Sequence, residues 1–330
     1  MISIARRTFW RLTIAAAFAL ALPAQAPSQD DAGDFPKSAI KFVVPNPPGG
    51  GNDVLARMIA EKLRVKWGQP VVVENRGGAA GNIGAAAVFN AEPDGHTLLI
   101  TTPAPLVTNR SLYAKLSYNP DAFVPVSVVM TSPNLLVVHP QVPATSVQQL
   151  LAYAKANPDK LSYASQGAGT GAHLTTEMMK MATGVKIVHV PYGGTAPALI
   201  DLLAGRVDMM FIAFGDALSY VRSGKLRAIA VGSNQPNPLL PDVAPVAEAL
   251  PGFFSMYWVG VVAPPRTPAA VAGKLSAGIG EAINQPDLRK KLQDMNVEPL
   301  GSTPAEMADF VRQESDRWGK VIQSIGAKVQ

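Results

Sequence analysis

Short apolar runs of strand length alternate along the chain with amphipathic stretches, and glycine-rich turns lie between them. Residues 40–44 are an apolar run, and residues 54–66 place apolar side chains at helical spacing. Residues 71–73 are a β-branched run, a small-residue helix follows through Val88, and residues 97–101 predict a third strand. Strands each followed by a helix predict an α/β fold with a parallel sheet covered on both faces. After Ser111 the rhythm changes. Residues 118–125 read as irregular, and two apolar stretches, 126–130 and 135–138, are separated by Thr131, Ser132 and Pro133. That break reads as a crossing into a second domain. The alternation then resumes, with helices at 147–156, 173–181 and 196–203 and strands at 161–164, 186–190, 208–213, 226–231 and 257–262. Residues 235–251 are proline-rich loop. The tail from Pro268 is helical, and Phe310, Val311, Trp318, Ile322 and Ile325 make one apolar face suited to core packing. The whole predicts one α/β domain (35–133 plus 256–330) interrupted by another (134–255), joined by two crossing strands with a ligand cleft between them.

The first residues add a compartment. Arg6, Arg7 and Arg11 precede an apolar run, 12–22, too short to span a bilayer, and Ala24-Gln25-Ala26 has the pattern of a cleavage site. Residues 1–26 are read as a cleavable export signal to the periplasm and 27–34 as a linker. Arg6-Arg7-Thr8-Phe9 resembles a twin-arginine signal, but Ala5 and Trp10 depart from that pattern, so the twin-arginine and general secretory routes both stay open.

Charge and composition then remove function classes. Of the 29 basic residues the signal carries three, leaving 26 against 24 acidic ones. That balance is too even to point to nucleic acid or a membrane surface. There is no cysteine, which removes disulfides, thiolate metal sites and a cysteine nucleophile. None of the four histidines stands in His-Glu-x-x-His spacing, so neither metal nor cofactor is expected. A monomer is expected.

The candidate chemistry lies in the turns. Pro45-Asn46-Pro47-Pro48-Gly49-Gly50-Gly51-Asn52-Asp53 joins the first strand to the first helix. A strand end, a tight turn and a helix start gather bare N–H groups beside the positive end of a helix dipole, and such a place attracts anions. The same segment also reads as a plain connection capped by Asp53. A second turn of this kind runs from Asn75 to Asn82. In the other domain Ser165-Gln166-Gly167-Ala168-Gly169-Thr170-Gly171-Ala172-His173 and Tyr192-Gly193-Gly194-Thr195 open helices in the same way. In open α/β sheets ligands sit beyond the carboxyl ends of the strands, where such turns gather.

These turns, with Glu92-Pro93-Asp94-Gly95-His96-Thr97 and Gly224-Lys225-Leu226-Arg227-Ala228, occur in an order that resembles the Bug family of extracytoplasmic solute receptors. These are the TctC-like substrate-binding proteins of tripartite tricarboxylate transporters. The resemblance runs from about Phe35 to the C-terminus. It implies a type II periplasmic binding protein fold that closes on a carboxylate-containing organic acid and delivers it to a membrane permease. It implies, too, that Pro48, Gly49, Gly50, Gly51, Ala79, Ala80 and Gly81 hold one ligand carboxylate, with Asn46, Asp53 and Thr102 in the same ligand-binding set. From the second domain it implies contacts from Ser165, Gly169, Thr170, His173, Tyr192 and Gly194, over a floor of Phe211, Ala213 and Phe214. Asn46 stands where relatives often carry an aromatic ring, and Gly193 where they often carry lysine. Two alternatives remain in view. A sensor that presents its ligand to a histidine kinase would use the same site, and a periplasmic hydrolase could pair Ser165 with His173, although no Gly-x-Ser-x-Gly elbow occurs.

Overall fold

The structure, a computed structural model, describes residues 32–294 and 297–328. The expected export signal lies outside the described residues. No helix among the described residues is long and apolar enough to cross a membrane.

Ten strands join in one sheet bent into two halves. In the first half β1 (Ile40–Val44) lies between β2 (Val71–Asn75) and β3 (Thr97–Thr101), parallel to both. Next to β3 the sheet turns antiparallel through β9 (Met256–Ala263) and β4 (Val124–Val138), with β10 (Glu298–Pro299) on the far edge of β4. In the second half the end of β4 lies between β7 (Met209–Ala213) and β8 (Arg227–Val231), antiparallel to both. Beyond β7 follow β5 (Ser162–Ser165) and β6 (Val188–Pro191), in parallel. The parallel expectation thus holds for β2-β1-β3 and for β7-β5-β6, and fails around β4, which is antiparallel to each of its neighbours. Returning segments there cross from one half to the other and must run against their neighbours.

The break expected at Thr131-Ser132-Pro133 is absent. Here β4 runs on as a 15-residue strand, with Pro133 opposite Met256. A proline gives the ladder no N–H, which is why it reads as a strand end. The next residue restores the ladder: the Asn134 N–H donates to the Ser255 carbonyl at 3.2 Å.

Helices cover both faces. In the first half α1 (Gly51–Trp67) and α8 (Ala269–Ile283) bury Leu55, Ile59, Leu63, Leu275 and Ile279 against Phe42, Leu98 and Val261. Residues α2 (Asn82–Phe89), α3 (Asn109–Leu112) and α10 (Pro304–Ile325) cover the other face, where Val88, Leu112, Trp318 and Ile322 share a core with Val43 and Trp258. The short α9 (Pro286–Asp294) precedes β10. In the second half α4 (Val147–Ala156) and α5 (Gly171–Thr183) pack around Tyr163 and Met209, while α6 (Thr195–Leu203) and α7 (Phe214–Arg222) pack around Ile212 and Val231. The apolar face expected at the C-terminus is core: Trp318 and Ile322 are buried, and Phe310, Val311 and Ile325 lean on the same cluster.

Candidate functional site

The first turn is built around a buried carboxylate. Asp53 accepts hydrogen bonds from the Gly49 N–H (2.9 Å), Arg57 Nε (3.0 Å) and Asn75 Nδ2 (2.9 Å). The Arg57 hydrogen bond above all, opposed by burial, lowers its pKa to about 2. Asn75 Nδ2 also donates to the Asn46 carbonyl at 3.0 Å, so one side chain ties the first turn to the start of the second. Asn46 Oδ1 accepts from Asn52 Nδ2 at 3.0 Å. The expected contact from Asp53 to a ligand is therefore corrected. Its oxygens are spent within the protein, where they fix the shape of the turn. Nor does it cap α1, because the N-cap is Gly50 and has no side-chain bond.

The second turn is strained and braced from behind. Ala79 and Ala80 are left-handed, with φ of 47° and 51°. Such a conformation costs about 1–3 kcal/mol per residue and needs support from its surroundings. Asn109 Nδ2 provides it, donating to the Ala80 carbonyl at 3.1 Å and to Asn82 Oδ1 at 2.7 Å, while the Tyr118 hydroxyl donates to Asn82 Oδ1 at 2.7 Å. Gly81 has φ +89°, and a Cβ there would lie 2.7 Å from Pro105 Cγ and 3.3 Å from Pro45 Cβ. The two turns therefore touch. Successive left-handed residues turn neighbouring N–H groups to one side, a concavity suited to an anion.

Across the cleft, the turn after β5 is held by its own hydroxyls. Thr170 Oγ1 donates to the Gly167 carbonyl at 2.7 Å. Ser165 Oγ accepts from the Gly167 N–H at 3.1 Å and shares a 2.6 Å hydrogen bond with His189 Nε2. His173 Nδ1 accepts from the Gly169 N–H at 3.0 Å, and its ring stacks on His189 at 4.3 Å. Burial lowers the pKa of both imidazoles, that of His189 to about 4, so the pair is neutral at pH 7. Ser165 and His173 are thus supports under the turn, and the serine's imidazole partner is His189. Two further expectations are corrected likewise. The Tyr192 hydroxyl donates to Asp201 at 2.9 Å, and Phe214 is fully buried in the core.

Between the halves lies a cavity of about 520 Å³. Gly51, Thr102, Gly169, Thr170, Phe211 and Ala213 of the expected set line it. Asn46, Pro48, Gly49, Gly50, Ala79, Ala80, Gly81 and Gly194 are not on its wall. Pro48, Gly49 and Gly50 are exposed in the turn that leads to Gly51, Ala79 and Ala80 are exposed in the second turn, and Gly194 precedes the wall residue Thr195. The first residues of α1 and α5, Gly51 and Gly171, and the second residue of α7, Gly215, reach the wall. Positive helix ends from both halves therefore face one space. Toward the back the wall is apolar, with Leu55 and Met130.

The cavity also holds residues that sequence reading missed: Thr108, Asn134, Gln166, Asp216 and Tyr257. Asn134 sits where β4 crosses between halves, and its Nδ2 donates to Ser255 Oγ at 2.7 Å. Asp216 is in the first turn of α7, a helix that begins at Phe214 directly on the end of β7 at Ala213, with no turn residue between them. Burial pushes the Asp216 carboxyl up, although the side chain is open to the cavity. Tyr257 is pushed up to about 12, by burial and then by the charge of Asp216.

Two α/β halves crossed by long strands, with a cavity between them, define a periplasmic solute-binding protein of the two-domain kind. The chain belongs to the Tripartite tricarboxylate transporter family receptor family, TctC, whose profile matches residues 55–327. It is 36% identical over 299 residues to Protein BugT of Bordetella pertussis, covering 90% of this chain and 92% of the relative. It is similar to R. palustris Rpa4515 with adipate, at TM-score 0.77 and 37% identity, covering 89% of this chain and all of that one. It is also similar to MatC of Rhodopseudomonas palustris with bound malate, at TM-score 0.73 and 34% identity, covering 87% of this chain and all of that one. The family is a periplasmic receptor for small solutes and not a class of enzyme.

Proposed function

We propose that this receptor captures a small organic acid in the cavity between its halves and delivers it to a membrane permease of the tripartite tricarboxylate type. The observation that carries the reading is the cavity wall, where the amino ends of α1, α5 and α7 converge and, among the described residues, no Lys, Arg or His side chain is present. Helix ends and backbone N–H groups then hold the carboxylate. They bind more weakly than a bidentate arginine, which suits a protein that must release its cargo. Solved relatives that carry adipate and malate support the ligand class.

Capture proceeds by closure. Residues 35–133 with 256–330 form one lobe and residues 134–255 the other, and the lobes rotate about β4 and the chain at Ser255. Pro48 to Gly51 and Ala79 to Gly81 offer their N–H groups to one carboxylate of the ligand. The turn at Gly169 and Thr170, with Gly194 behind Thr195, then shuts over its other end. A thermal-shift screen of organic acids on the chain from residue 27 tests this. A ligand at a hundred times its Kd stabilises by about 2.7 kcal/mol and raises Tm by roughly 5 °C. A set of hits without any carboxylate would sink the proposal.

A further inference from the structure

Resting on that reading, we infer that the cargo carries a cationic nitrogen as well as its carboxylate, and that Asp216 is the group that receives it. Among the described residues, the cavity between the halves is lined by one carboxylic acid, Asp216, and by no basic side chain. Among the described residues Asp216 makes no ion pair and accepts no hydrogen bond. Its charge acts on the phenol of Tyr257, which lines the same wall.

Asp216 is exposed in the open cleft. Closure of the lobes would exclude water from it; a carboxylate without a partner would then be costly, and a cation arriving with the cargo would relieve that cost. The surrounding groups provide no other relief. Gly215 beside it has no side chain, Ala213 and Phe211 are apolar, and Asn134, an amide on the wall from β4, gives its Nδ2 to Ser255. The His173 and His189 imidazoles lie beneath the turn at Gly169, neutral and stacked on each other. A position in the first turn of α7 favours a carboxylate through the helix dipole. That explains why an acid is tolerated there; the side chain is exposed, and it stands on the cavity wall.

Charge then sorts the possible cargoes. A dicarboxylate whose first carboxylate sits at Gly51 must bring its second one toward the face that carries Asp216, where like charges repel. An aminocarboxylate of matching length puts a counter-ion there instead. The Tyr257 hydroxyl stays protonated and can accept from the same ammonium.

The test is isothermal titration calorimetry with three matched pairs: 4-aminobutanoate against glutarate, 5-aminopentanoate against adipate, and norvaline against pentanoate. The inference expects, in at least one pair, the amino compound to bind at least about tenfold tighter than its partner, and Asp216→Asn to erase that preference. It is overturned if wild type binds the dicarboxylates or pentanoate as well as the amino compounds, or if Asp216→Asn leaves a preference for the amine unchanged. Should the variant fail to fold, the wild-type ranking alone decides. Binding of none of the six compounds overturns this inference, and it is the only result that also counts against the carboxylate reading.

Discussion

Asp53 and Asp216 show how two aspartates in comparable places take opposite jobs. Both stand in the first turn of a helix that faces the cleft. Asp53 is buried, bonded to Gly49, Arg57 and Asn75, and its pKa falls to about 2. A carboxyl depressed in the folded state adds stability that is present above its unfolded pKa and is lost as pH falls through its folded one. Asp53 should therefore add on the order of 1–2 kcal/mol at pH 5 and above. Urea unfolding of Asp53→Asn against wild type should show that gap, closing as pH falls from about 4 toward 2. Glycines differ from one another in the same way. A side chain at Gly51 meets nothing within 4 Å, whereas one at Gly81 meets Pro105 and a left-handed backbone. Gly51→Val should leave stability within about 1 kcal/mol and lower ligand affinity at least about tenfold, since it blocks the approach to the α1 N–H groups. Gly81→Val should cost about 1–3 kcal/mol by strain alone, so it tests the fold before it tests binding.

At the scale of elements, β4 and its contacts at Ser255 join the halves. The Asn134 carbonyl accepts from the Gly232 N–H at 2.7 Å, the Gly232 carbonyl accepts from the Ser255 N–H at 2.9 Å, and the Thr175 and Ser255 hydroxyls meet at 2.7 Å. The backbones are so close that a Cβ on Gly232 would lie 2.2 Å from the Ser255 carbonyl oxygen. Gly232→Ala should thus destabilise by roughly 1–3 kcal/mol in chemical denaturation. Asn134→Ala, which leaves a buried hydroxyl with one partner fewer, should cost about 1–2 kcal/mol. Elements were legible in the sequence where periodicity was strong. The expected helix at 147–156 is α4 to the residue, and the strand at 40–44 is β1. The reading failed where signals were local and tertiary structure overrode them. Pro133 read as a break but lies inside β4, and α7 went unread because it begins directly on the end of β7.

For the whole molecule, closure is the outcome to measure. Small-angle scattering with a hit from the acid screen should show a smaller radius of gyration than the free protein, and an unchanged radius would count against rotation about β4. The two halves already approach at the rim, where Gly169 of one lies against Leu112 of the other, so the movement has a defined end point. Sequence by itself determined the α/β alternation, the polar glycine turns at strand ends and, through their order, the family. Those features are local, set by hydrophobic period and turn chemistry within a few residues. Tertiary structure alone decided which polar groups of those turns face the cavity. Asp53, Ser165 and His173 read as binding groups, yet they turn their polar atoms inward, because a tight turn must satisfy its own N–H groups before it can present any to a ligand. Asp216 carried no signal in the chain, since an acid in a helix's first turn is ordinary. Only the meeting of β9 and α7 across the cleft places its charge on the cavity wall.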